Sequence, residues 1–111
     1  MIVGTWSVCE SYLRAIESNI QAAWIAKQAS DTTTATNELN SAITNIAGAK
    51  AEMTSWLTNF DSAQAITDGL DDLVDALLAG VGGSTASYKA LQLPVTDRLL
   101  TLRSMCDRSR T

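Results

Sequence analysis

The sequence predicts an all-α protein, an up-down bundle of about four helices, and three observations predict it. Apolar residues recur on a seven-residue beat through the first sixty positions. No stretch of useful length alternates apolar and polar residues as a half-buried strand does. The breaks between periodic segments are short and either polar or rich in glycine, as helix–helix connections in bundles are.

The first helix is expected over about 5–29. Its row is Ile2, Trp6, Cys9, Leu13, Ile16, Ile20 and Ala23, with steps alternating between four and three. That pattern lays one apolar stripe along a helix and demands a partner surface. Thr5 is the expected N-cap, with Ser7 as the alternative. Tyr12 and Trp24 flank the stripe. The stretch 30–37, SDTTTATN, is polar and β-branched and reads as a loop.

The second helix is expected over about 36–59, capped by Thr36 or Asn37. Its row is Leu39, Ile43, Ile46, Met53, Leu57 and Phe60, with Lys50 at the missing step and Ala42, Ala49 and Trp56 one residue to the side. Gly48 lies inside it at a cost of roughly 1 kcal/mol relative to Ala. Close approach by a neighbouring helix is the reading that accounts for it.

Asp61 opens the third helix. DSAQ resembles a capping box, with Asp61 as cap and Gln64 at the third helical position. The apolar row is Ile66, Leu70, Leu73 and Leu77, with Val74 and Leu78 beside it, and Gly80 ends the helix. After GVGGST the fourth helix starts near Ser84 or Thr85 and carries Tyr88, Leu91, Val95, Leu99, Leu102 and Cys106. Pro94 lacks a backbone N–H and clashes with the preceding turn, so a break or kink is expected near Leu93.

The 111 residues suit one domain, 1–111, with a modest core. Hydrophobic residues make up 46% and charged ones 18%, which excludes a disordered polyelectrolyte. Net charge is −4, which argues against general nucleic-acid binding, since that rests on Lys and Arg neutralising phosphates. The apolar start MIVGTWSVCE lacks a basic region and makes a poor signal peptide. No apolar run approaches membrane-spanning length, because Asp75 interrupts the best candidate. The expected setting is therefore soluble and cytoplasmic in origin.

Two cysteines stand near opposite ends, at Cys9 and Cys106, with no CxxC spacing. In an up-down bundle the start of the first helix and the end of the fourth share one end. The two thiols are therefore expected at the same end of the bundle, as buried thiols, joined by a disulfide, or as a functional thiol.

Asp68, Asp71, Asp72 and Asp75 fall at i, i+3, i+4 and i+7, on one face of the third helix. Carboxylates alone suit calcium or magnesium. A regular helix, however, cannot supply the carbonyls and tight turn of a calcium loop, and bundle di-metal sites use Glu with a Glu-x-x-His pair. Histidine is absent, so no metal and no cofactor are expected. A solvated face or a docking face for a basic partner is the expected use. The loop 80–85 lacks the preceding strand and the lysine of a phosphate-binding loop. Without a His base or a paired nucleophile, no enzyme is expected.

Charge is segregated. Residues 1–50 sum to −1, residues 51–88 to −6 and residues 89–111 to +3. Either neighbouring helices three and four offset each other within one chain, or the basic end of one copy meets the acidic face of the next. The interface candidates are Trp56 and Phe60, the acidic Asp68, Asp71, Asp72 and Asp75, and the basic Arg98, Arg103, Arg108 and Arg110. Three arginines near the end make only a weak nucleic-acid footprint.

The function that fits is a non-enzymatic structural or assembly subunit acting through protein–protein contacts with other subunits, as a homo-oligomer or within a larger assembly. A small virion component is the class expected, such as a bacteriophage head–tail connector or a tail or capsid accessory protein, with the virion as its location. A free cytosolic adaptor or regulator is the alternative. Secreted helical hairpins with a central Trp-x-Gly turn do not fit, because Trp24 and Trp56 are followed by Ile25-Ala26 and Leu57-Thr58.

Overall fold

The computed structural model describes the backbone of residues 3–56 and 60–109 and the side chains of 7–54 and 64–107. Four helices follow one another: α1 (Val3–Gln28), α2 (Thr32–Trp56), α3 (Phe60–Ala79) and α4 (Thr85–Ser109). Each helix packs along its sequence neighbour, and α4 closes the ring against α1. Diagonal pairs do not approach. This is the up-down bundle that short connections impose, and it measures 46 × 20 × 16 Å.

The α1–α2 pair is the most intimate of the four contacts. On α1 the expected row is buried wherever its side chains are described: Cys9, Leu13, Ile16, Ile20 and Ala23, joined by Ala26. On α2 the row shifts by one residue. The buried side chains are Ala35, Leu39, Ala42, Ile46, Ala49 and Met53. Ile43 is only partly buried, and Lys50 leaves the seam to reach α3. Alanine wins these positions because its short side chain lets two helix backbones come together. Gly48 makes room for a side chain of α1: a Cβ there would lie 2.4 Å from Cε1 of the Tyr12 ring. Beside the seam, Asn45 donates to Asn19 and Asn19 donates to Glu38, both at 2.9 Å. This partly buried ladder pins the register of the two helices.

The segment read as a loop over 30–37 is mostly helix. Asp31, rather than Thr36 or Asn37, caps α2: its carboxylate accepts from the Thr34 amide at 3.0 Å and the Thr34 hydroxyl at 2.6 Å. These bonds hold the Asp31 carboxyl below its usual range, the Thr34 hydroxyl contributing most. Burial of Ala35 at the seam gives the three threonines a reason to be helical despite their modest propensity. The preceding turn closes α1. The Asp31 amide bonds back to the Ala26 carbonyl and the Ser30 amide to that of Lys27. This pairing needs a left-handed residue between the helices, and Ser30 takes it, with φ of 62°. A side chain there is strained by about 1 kcal/mol. Ser30→Gly is expected to raise unfolding stability by about 1 kcal/mol in a urea melt.

Two other expected caps are displaced. Thr5 and Ser7 lie within α1, and Asp61 lies inside the first turn of α3 because that helix begins at Phe60. The Asp61 side chain falls outside the described residues. On α3 the buried face is Thr67, Leu70, Val74 and Leu77, with Ile66, Leu73 and Leu78 at its edges. Gly80 follows the helix as expected, and Val81 of the loop turns inward. Ser84 caps α4, accepting from the Ser87 amide at 3.1 Å.

Of the break or kink expected near Leu93, the break does not occur: α4 runs unbroken from Thr85 to Ser109 with Pro94 inside it. Pro94 and Ala90 face solvent, so water can satisfy the carbonyl the proline leaves unpaired. Val95 and Tyr88, buried on either side, hold both halves against the core.

Candidate functional site

α4 meets α1 less closely than α1 meets α2, and the contacts between them run in antiparallel order. Trp24 of α1 stacks on Tyr88 of α4, with centroids 5.9 Å apart and planes at 11°. In the middle, Glu17 accepts from Arg103 at 3.2 Å. At the far end the Sγ atoms of Cys9 and Cys106 lie 3.4 Å apart, which places both thiols at one end as expected.

Between these ties lies a groove of about 390 Å³, with Ile20 and Leu99 in its lining and Gln21, Gln92, Thr96, Leu100, Glu17 and Arg103 around them. Gln92 Oε1 and Arg103 Nε are buried there without a hydrogen-bond partner among the described residues. The outer face of α4 runs alongside. Leu93 is 63% exposed and Leu100 57%, while Ile25 of α1 is 65% exposed. Leu93 and Leu100 are seven residues apart, so they stand on one stripe of α4 away from the buried Val95, Leu99 and Leu102. α4 thus carries more apolar surface than the bundle covers. Leucines exposed together beside a groove mark a contact surface more than scattered ones do.

The charged candidates are distributed differently from the sequence expectation. Asp68 accepts from Lys50 of α2 at 2.7 Å. Arg103 is held by Glu17. The Arg98 guanidinium lies against α3 at Gly69, within 3.1 Å of where a Cβ would stand. The two ion pairs join α2 to α3 and α1 to α4; among the described residues, none joins the acidic α3 to the basic α4 as the charge pattern suggests. Asp72 and Asp75 remain exposed on α3. Asp71 is half-buried, with Oδ1 unpartnered among the described residues. The side chains of Trp56, Phe60 and Arg108, and the whole of Arg110, lie outside the described residues.

Burial pushes the Asp71 carboxyl above its usual range. Asp75 adds to this, Lys50 opposes it, and Asp68 and Asp72 add less. A raised folded value means the folded state holds the proton more tightly. The associated stability is present below about pH 4 and is lost as pH rises through the folded value. Asp71→Asn is therefore expected to stabilise the protein at pH 7 by about 0.5 kcal/mol after solvent screening. Paired urea melts should show the gain shrinking towards nothing below about pH 4.

Burial likewise raises the Tyr88 phenol, whose hydroxyl has no partner among the described residues. Among the described residues, no group of three or more Asp, Glu, Cys or His side chains is placed to hold a metal ion. In the same residues, no helix is long and apolar enough to cross a membrane.

The exposed leucines were missed in the sequence because Tyr88, Leu91, Val95, Leu99 and Leu102 already formed a complete row. Their signal was the surplus: two further leucines, a heptad apart, off that row. Compared with protein-family models, curated proteins and solved structures, the chain shows no significant match.

Proposed function

We propose that the protein is a non-enzymatic assembly subunit that works through protein–protein contacts, and that its first contact is a second copy bound along the outer face of α4. The observation that carries this reading is the pair Leu93 and Leu100, both more than half exposed on one stripe beside the α1–α4 groove. Two such stripes pair most simply antiparallel about a two-fold axis. Leu93 of each copy then lies near Leu100 of the other. Lys89 precedes the stripe and Asp107 follows it, both exposed, so the same arrangement brings opposite charges together at each end.

This moves the main contact from the charged faces to an apolar one. Asp68 and Arg103 already have partners within the chain, which leaves exposed Asp72 and Asp75 as a second surface for a basic neighbour. A small virion component, such as a head–tail connector or tail or capsid accessory protein, is the setting we propose. That part rests on class and size, and on a low-charge surface suited to permanent burial.

Light scattering on a sizing column over a concentration series, at low and high salt, tests the reading. A multimer that persists at high salt is expected, because apolar contacts are not screened. Dissociation by salt would return the contact to the charged faces. A monomer at every concentration would favour a free adaptor.

A further inference from the structure

We propose that Cys9 and Cys106 form a redox-operated staple, a disulfide that ties α1 to α4 when small-molecule disulfides are in excess and opens when thiols are. The two residues are 97 positions apart, yet their Sγ atoms sit 3.4 Å from one another. A disulfide needs roughly 2.0 Å, a closure within reach of small side-chain rotations. Both are buried, at 0% and 1% exposure, and the chain has no third cysteine to compete. Their place in the bundle gives the bond something to do. The Trp24–Tyr88 stack holds the other end of the α1–α4 contact, with the groove between. A covalent tie would lock this end of the contact and join the first helix to the last.

The chemistry is thiol–disulfide exchange with a small disulfide, RSSR. The two thiols share a hydrogen bond that either sulfur can donate. With Cys9 donating, that bond, ahead of burial, pushes the Cys9 thiol far up and eases proton loss from Cys106. Either thiol can act first with the same balance. With Cys106 leading, its thiolate attacks one sulfur of RSSR, forming a mixed disulfide and expelling RS⁻, which takes up the Cys106 proton. Cys9 then gives up its proton and attacks Cys106 Sγ, forming the Cys9–Cys106 bond and expelling a second RS⁻, which takes up that proton. Two protein thiols and one RSSR become one protein disulfide and two RSH, with the two electrons passing to RSSR. Burial means the oxidant reaches Cys106 only when the end of α4 opens.

The test equilibrates the full chain with graded mixtures of oxidised and reduced glutathione, a few degrees below its melting midpoint so that α4 opens. It is followed by intact mass, peptide mapping and thermal melting. The expected result is a monomeric chain lighter by two hydrogens, with the Cys9 and Cys106 peptides linked. Its midpoint should be higher than that of the reduced chain by on the order of 10 °C, and dithiothreitol should reverse both changes. Cys106→Ala and Cys9→Ala should each abolish the redox-dependent shift, and either one suffices if the other fails to fold. Two alkylatable thiols in every mixture, glutathione adducts without a link, cross-links only between chains, or a link without a rise in midpoint would each overturn the proposal.

Discussion

Ala42→Leu is expected to destabilise the protein by about 3 kcal/mol, whereas Ile43→Ala, a truncation at the neighbouring position, should cost about 1 kcal/mol. Ala42 is fully buried in the α1–α2 seam, between Leu39 and Ile46. The α1 and α2 backbones are the closest pair in the bundle, and the Tyr12 ring fills the space beside Gly48. Three more carbons at position 42 must push the helices apart or force neighbouring side chains out of their rotamers, and interiors at crystal-like density resist both. Ile43 sits at the edge of the core, where truncation loses some burial and leaves no closed cavity. Urea melts under reducing conditions check the pair. Equal losses, or a larger loss at Ile43, would contradict the alanine seam. The size of the effect matters because a domain of this length has a total stability of about 5–15 kcal/mol.

Leu93→Asp combined with Leu100→Asp is expected to abolish self-association while leaving the thermal midpoint within a few degrees of wild type. Both leucines are exposed in the single chain, so the folded monomer loses little when they become polar. In an antiparallel pair of α4 helices the same changes put unpaired carboxylates into an apolar contact. Placing a charge there without a partner costs several kcal/mol per site, against an association energy of about 8 kcal/mol for a micromolar complex. A milder pair, Leu93→Ser with Leu100→Ser, should weaken the complex less, since it removes apolar area without adding charge. By contrast, Asp72→Lys with Asp75→Lys should leave a pair built on α4 intact.

Much of this architecture was legible in the sequence. The heptad of α1 is regular from Cys9 to Ala23, and no other element type accommodates it. From it and the short links follow the four-helix order and the placing of Cys9 and Cys106 at one end, where the structure brings them into contact. The register of α2 was not legible, because Ile43 and Lys50 continue the four-three rhythm as well as Ala42 and Ala49 do, and size favours Ile43. Only the close approach of α1 decides for the alanines. The start of α2 was misplaced for a related reason. SDTTTATN looks like a loop by propensity, while the Asp31 cap and the burial of Ala35 are tertiary effects. Pro94 does not break α4 for a similar reason, since the chain on both sides of it is held by the core. As for the site, the charge pattern drew attention to α3 and the end of α4. The pairings Lys50–Asp68 and Glu17–Arg103 depend on which helices stand side by side, and the exposed leucines emerged only once the buried row of α4 was known.

The most direct test of the claim that α4 is the assembly surface is the absolute mass in solution of the wild-type protein beside the Leu93→Asp, Leu100→Asp variant, at one concentration and with matched helical content. The expected result is a multimer of two or more copies for wild type and a single chain for the variant. A single-chain wild type at the highest attainable concentration, or a variant that keeps the wild-type mass, would contradict it.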